Sequence, residues 1–201
     1  MRRLLPALLL VLLAAAALAS LALGDAAFGP REVWGALLRR GDELAITILW
    51  DIRLPRTLVG MASGAALAAS GVVMQAYFRN VLASPGLLGV SSGASLGAVA
   101  ALAFGGLSLG LWTVPLAAVA GGFLATGAVM VMARRGASPE HLLLCGVALN
   151  ALFGAGTSFV LGVFANQVQV GAQIIYWLLG GIENRTWEHV WLSLPAVAIA
   201  C

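Results

Sequence analysis

Residues 80–133, NVLASPGLLGVSSGASLGAVAALAFGGLSLGLWTVPLAAVAGGFLATGAVMVMA, hold no acidic or basic side chain over 54 positions. A bilayer crossing takes about 20 apolar residues, so this stretch is too long for one span and has to fold back. Gly105, Gly106 and Gly110, with Trp112 and Pro115 beside them, mark the reversal. They predict spans over 86–104 and 113–133, the second closed by Arg134 and Arg135.

Working outward, residues 57–78 are also uncharged and end at Arg79, and a span over 142–164 follows Pro139 and Glu140. Asn166, Gln167, Gln169 and Gln173 then signal exit into water or a polar cavity. The apolar piece 174–182 has nine residues, too few to cross, and Trp177 and Trp187 suit a membrane interface. A last apolar run from Trp187 reaches Cys201 after about 15 residues, an incomplete span. At the other end, 21 uncharged positions, 4–24, lie behind Arg2 and Arg3 and give a first span. A cleavable signal peptide fits the same basic start and Ala17-Leu18-Ala19, although the run outlasts the usual core of about 7 to 15 residues. The expected fold is all-α: one polytopic transmembrane bundle over 1–201, with about five complete spans and a truncated sixth.

Composition excludes several classes. The 201 residues are 61% hydrophobic and 9% charged, against roughly 25% charged in soluble domains, which rules out an ordinary soluble enzyme and a disordered chain. Cys145 and Cys201 lie 56 positions apart and make no disulfide scaffold. All eleven basic residues are arginine, so a G-x-x-x-x-G-K-[ST] phosphate loop cannot exist, and any ATP is bound by another subunit. The arginines are scattered between apolar runs and form no nucleic-acid stripe.

Residues 25–56 are the largest polar segment, with five acids and five arginines, and are expected to form a periplasmic loop that carries an interfacial helix. Pro30 can open a short helix with Val33, Trp34, Leu37 and Leu38 on one face and Arg31, Glu32, Arg39 and Arg40 on the other, ended by Gly41. Such a helix lies on the membrane surface. With the N-terminus inside, five arginines (2, 3, 79, 134, 135) face six (31, 39, 40, 53, 56, 185), which decides nothing. The pairs that abut spans favour an inside N-terminus.

Gly89-Val90-Ser91-Ser92-Gly93 matches the serine-hydrolase elbow G-x-S-x-G. The elbow needs a preceding strand and an acid and histidine downstream, whereas Pro85 and Gly86 here lead into a membrane helix. The glycines read better as packing: Gly89, Gly93 and Gly97 recur every four residues, as do Gly60 and Gly64, so each set lines one helix face. His141 and His189 stand alone and give no metal site. Cys145 reads as a small buried hydrophobe. Gln75, Asn80 and Asn150 fall in or beside spans, where an amide serves either as interhelical glue or as lining of a polar path.

Residues 50–97, WDIRLPRTLVGMASGAALAASGVVMQAYFRNVLASPGLLGVSSGASLG, resemble the FecCD-type permeases of ABC importers for iron siderophores, haem and vitamin B12, the vitamin B12 permeases most nearly. In that pattern R-L-P-R opens the second span, here 53–56, and a G-A-A-L-A-x-S-G helix follows, here 64–71. Q-x-x-x-R-N-P-L-A-x-P-x-x-L-G then turns the chain into the third span, here 75–89. LLLCGVALN at 142–150 and YWLLGG at 176–181 also resemble the family's fifth span and the segment before its sixth. Val81 departs from the pattern, standing where the family usually has proline.

The resemblance implies a homodimeric permease of the bacterial cytoplasmic membrane, not itself an enzyme and without a cofactor. Two cytoplasmic ATPase subunits and a periplasmic or lipid-anchored substrate-binding protein would be its partners. It implies that Arg53 and Arg56 receive acidic residues of the binding protein. A cytoplasmic gate would be built from the turns holding Asn80 and Leu82 and, by a looser match, Ser138 and Pro139. It also implies that 1–201 is the N-terminal part of a fold of roughly ten spans and does not transport alone. A secondary transporter, a structural membrane subunit and an intramembrane hydrolase are the rival classes, and the cargo among the three chelate types stays open.

Overall fold

The computed structural model describes residues 4–24, 26–134, 136 and 138–200, and the side chains at 107, 134, 139, 140 and 200 are outside that description. Arg2, Arg3, Arg135 and Cys201, named above, and Asp25, one of the five acids of 25–56, therefore lie outside the described residues. The described chain is helical, with α1 Leu4–Ala22, α2 Pro30–Leu37, α3 Glu43–Thr47, a π-helical turn Ile48–Arg53, α4 Leu54–Phe78, α5 Val90–Ala103, α6 Thr113–Arg134, α7 Pro139–Val163, α8 Val168–Leu178 and α9 Trp187–Ala200. Short 3₁₀ turns at Pro85–Leu88 and Gly106–Leu109 flank α5. It is a multi-pass helical membrane protein. Among the described residues, four helical stretches are long and apolar enough to cross: Leu4–Ala22, Glu43–Phe78, Thr113–Ala133 and His141–Val163.

Contacts gather into two compact units, Met1–Ala66 with Ile182–Cys201, and Leu67–Gly181. In the first, α1 is uncharged and exposed along almost its whole length, with Leu21 as its buried residue, as befits a helix facing acyl chains. Helix α2 starts with Pro30 at a position whose N–H has no partner anyway, and the Glu32 carboxylate accepts the Gly29 N–H at 2.7 Å. It stops earlier than Gly41. Arg39 takes a left-handed φ of 55°, and the N–H groups of Arg40 and Arg39 reach back to the carbonyls of Gly35 and Ala36. This is a Schellman ending with arginine in the place glycine usually holds. Val33 and Ala36 face the buried cluster of Leu21, Ala45 and Leu49, while Trp34 and Leu38 are exposed. The expected four-residue apolar face is thus split between core and surroundings.

The polar segment is helical from Glu43 onward, where a loop was expected. Asp42 caps α3 by accepting the Ala45 N–H at 3.3 Å. The chain then widens into the π-turn, with Leu54 N–H reaching the Leu49 carbonyl, and continues as α4. Pro55 supplies the cause: it has no N–H, and its ring crowds the carbonyl four residues back, which a π-turn accommodates without breaking the helix. Ser20 of α1 and Thr57 of α4 share a hydrogen bond at 2.8 Å. Trp187 at the start of α9 stacks on Trp50, centroids 6.0 Å apart, and donates to the Trp50 carbonyl at 2.9 Å.

In the second unit α5 is the hub, packed against α6 and α7 and also touching α8. Ala98, Val99, Leu102 and Ala103 of α5 meet Val114 of α6 and Ile174 of α8 in one buried cluster. Helix α5 has 14 residues, a rise of roughly 21 Å against a hydrocarbon core of roughly 30 Å. The span expected over 86–104 is shortened because Pro85–Leu88 form a 3₁₀ turn and Gly89 and Gly105 take left-handed φ of 79° and 76°. Helix α4 closes on a second Schellman ending, Asn80 N–H to Gln75 carbonyl and Arg79 N–H to Ala76 carbonyl, with Arg79 at φ 48°.

Candidate functional site

The arginine cluster is built where α1 ends and α4 begins. Arg53 is 8% exposed, and its guanidinium donates to the carbonyl of Leu21 at 2.7 Å and to that of Ala26. Its carbon lies 4.9 Å from the centroid of the Phe28 ring. The last carbonyls of a helix have no intrahelical donor and carry the negative end of its dipole, so a buried cation is well matched there. A Cβ on Gly24 would stand 2.7 Å from the Arg53 Nη2, so glycine at that position leaves room for the fork. Arg56, one turn on, is exposed. Both arginines line a half-open cavity of about 660 Å³ together with Ser20, Gly24 and Glu183. The two arginines expected to act alike therefore differ: Arg53 is committed to backbone carbonyls, and Arg56 is the one free to present its charge.

On the neighbouring face, Trp50 donates from its ring N–H to the Ala36 carbonyl at 3.0 Å, and the Arg39 guanidinium sits 4.6 Å from its ring centroid. Trp50, Phe28 and Gly24 were missed in the sequence. Trp50 could have been found, since it stands three residues before the R-L-P-R string; Gly24 looked like the end of a span.

The turn after α4 holds Asn80 and Leu82. The Asn80 Oδ1 accepts the Leu82 N–H at 2.9 Å, and the Ala83 N–H bonds the Asn80 carbonyl at 3.1 Å, which closes an Asx turn inside a β-turn. Val81 and Leu82 are 82% and 80% exposed at its tip. In the other expected turn, Ser138 caps α7 by accepting the His141 N–H at 3.4 Å, and its hydroxyl lies 3.0 Å from His141 Nδ1. Pro139 begins α7, and its side chain is outside the described residues. His189 is engaged locally too, its Nδ1 3.0 Å from the Thr186 hydroxyl.

Beyond that turn, Asn150 of α7 donates from Nδ2 to the Gly86 carbonyl at 2.9 Å and accepts from the Ser92 hydroxyl at 2.7 Å. Gln75, by contrast, is exposed. The glycines also separate. A Cβ on Gly93 would lie 2.6 Å from the Gly121 carbonyl oxygen, and one on Gly97 2.2 Å from that of Ala117, so α5 and α6 meet backbone to backbone. Gly89 faces α7, where its Cβ would come 3.0 Å from that of Leu149. Gly60 has only Ile182 nearby at 3.9 Å, and Gly64 has nothing within 4 Å. Gly121 and Gly146 were missed, because the partner of a small-residue face cannot be read from one helix.

A family model described as the FecCD transport family matches residues 11–201. The chain belongs to the FecCD transport family. Over 189 residues it is 41% identical to the vitamin B12 import system permease protein BtuC of Escherichia coli, covering 94% of this chain and 55% of that one. With the protein of the same name from Citrobacter koseri it shares 39% over 190 residues, again 94% of this chain and 55% of the relative. The chain thus spans about half the length of these curated relatives. A solved structure described as an inward-facing conformation of a metal-chelate type ABC transporter superposes with a TM-score of 0.82 at 28% identity, covering 99% of this chain and 60% of that one. Membership in the FecCD family places the R-L-P-R arginines and the turn after α4 within one matched region.

Proposed function

We propose that this chain forms part of the translocation path of a binding-protein-dependent ABC importer for metal chelates, as a permease subunit with no bond chemistry of its own. The observation that carries the reading is the 41% identity to a vitamin B12 import permease across 94% of the chain. It ranks a vitamin B12-type cargo ahead of ferric siderophore and haem. A secondary transporter fits less well, since proton or ion coupling calls for ionisable groups in mid-span. Residues 4–22, 57–78, 113–133 and 142–163 hold no Asp, Glu, Lys, Arg or His.

In this reading the protein sits in the bacterial cytoplasmic membrane with its N-terminus inside, as the N-terminal part of a permease domain of about ten spans. It pairs with a second copy, two cytoplasmic ATPase subunits and a periplasmic or lipid-anchored binding protein. Arg56 presents a guanidinium to acidic residues of the binding protein, and Arg53 fixes the backbone that carries it, because exposed complementary charge governs docking rate and partner choice. Asn80 and Leu82, with Ser138 and Pro139, form the cytoplasmic gate, opened and closed as the ATPases bind and hydrolyse ATP. Copurification with the full-length protein tests the partnership: an ATPase subunit retained in mild detergent supports it, and a permease that purifies free of any ATPase while still taking up cargo contradicts it.

A further inference from the structure

We infer that Asn150, with Ser92 and Gly146, clasps the turn after α4 to α7, so that the two turns assigned to the gate travel as one body. The inference rests on the gate reading above, and its contacts all lie within the second unit. The Gly86 atom that faces Asn150 is its carbonyl oxygen, so the amide must turn Nδ2 toward it, at 2.9 Å, which leaves Oδ1 for the Ser92 hydroxyl at 2.7 Å. A flipped amide would lose the Gly86 bond, because two carbonyl oxygens would then face each other. Asn150 and Ser92 are both half-buried, and an amide that uses its donor and its acceptor at once joins its two partners.

The backbone closes the same joint. A Cβ on Gly146 would lie 2.2 Å from the Leu87 carbonyl oxygen and 2.8 Å from the Leu88 Cα, so α7 meets the 3₁₀ turn with no side chain between them. Leu88 is buried with Leu142 of α7 and Val129 of α6. Residues 86–92 are therefore held to α7 at Leu142, Gly146 and Asn150, three successive turns of one face. The same helix begins at Pro139, capped by Ser138. A displacement of α7 carries Ser138 directly, and through the clasp it carries residues 86–92 and, by chain connection, the adjoining turn at Asn80 and Leu82. Asn150 is thus a positioning residue, acting on the gate through the turn it holds.

Spin labels at Val81→Cys and Leu144→Cys, both exposed positions, test this in the full-length protein, with its native cysteines replaced, assembled with its ATPases in lipid and diluted with unlabelled copies. The expected result is one narrow distance distribution, the same without nucleotide and with ATP, that broadens at least twofold in Asn150→Leu and stays narrow in Ser92→Thr, which keeps the hydroxyl. If Asn150→Leu does not fold, Ser92→Ala is read instead and is expected to broaden the distribution partially. An in-chain distance that changes with nucleotide in the parent protein, or one left unchanged by both Asn150→Leu and Ser92→Ala, would overturn the clasp. Labels at Val81→Cys alone, one per copy, test the gate separately: no nucleotide-dependent change between copies sinks the gate reading and leaves the in-chain result to decide the clasp.

Discussion

The Arg53 guanidinium donates to the Leu21 carbonyl at 2.7 Å and so ties the last turn of α1 to the helix that carries the R-L-P-R string. A hydrogen bond from a charged donor contributes about 1.5 to 3 kcal/mol, and removing it leaves a buried carbonyl unpaired. Arg53→Ala is therefore expected to cost about 3 kcal/mol of stability in thermal or denaturant unfolding. Arg53→Lys should recover only part of this, since an ammonium cannot fork to Leu21 and Ala26 together. Gly24→Ala places a methyl 2.7 Å from the same guanidinium. The double variant should lose less than the sum of the two singles, by about 1 kcal/mol, because both break one contact. Strict additivity would argue that Gly24 and Arg53 are independent.

Helices α5 and α6 meet at Gly97 and Ala117, where an added Cβ would lie 2.2 Å from a carbonyl oxygen. Gly97→Val must push the helices apart and is expected to cost about 3 kcal/mol or to abolish folding. Gly64→Ala meets nothing within 4 Å and should change stability by no more than about 0.5 kcal/mol. Melting curves of the two variants in one detergent check the contrast.

Val81 occupies the second position of the β-turn closed by Ala83 N–H to Asn80 carbonyl, the position that proline favours. Among the described residues no hydrogen bond uses the Val81 backbone N–H. Val81→Pro should therefore stabilise the protein by about 0.4 to 1 kcal/mol, by narrowing the unfolded ensemble. A lower unfolding midpoint would show that the turn needs a freedom that the ring removes.

Most of the fold was legible because apolar runs in a bilayer leave little choice beyond helices, and Gly105 and Gly110 marked the reversal between α5 and α6. The helix ends were less legible. Arg39 and Arg79 close α2 and α4 in the left-handed conformation that glycine usually takes, so Gly41 drew the boundary too late. The polar string before Pro55 read as a loop, since charge pattern alone cannot show that the Arg53 fork will be spent on the carbonyls of Leu21 and Ala26. Asn150 stood out as an amide in a span, but its partners at Gly86 and Ser92 lie about 60 residues away in sequence and emerge only when the helices are placed.

Arg56 is exposed and lines the same half-open cavity as Arg53, which makes charge reversal there a test of docking rather than of folding. Arg56→Glu is expected to weaken capture of the binding protein at least tenfold at low salt while leaving the unfolding midpoint unchanged. The deficit should shrink as salt screens the pairing, over a Debye length near 8 Å at about 0.15 M. Unchanged affinity at low salt would assign docking to other residues.

The activity proposed for the full-length protein is ATP-driven import of a metal chelate. Its most direct measurement is uptake of labelled cobalamin by the full-length protein reconstituted in proteoliposomes with its ATPase and binding protein. Uptake is expected to require ATP hydrolysis and the loaded binding protein, with ferric siderophore taken up more slowly. Uptake that proceeds without ATP and follows a proton or sodium gradient would contradict it.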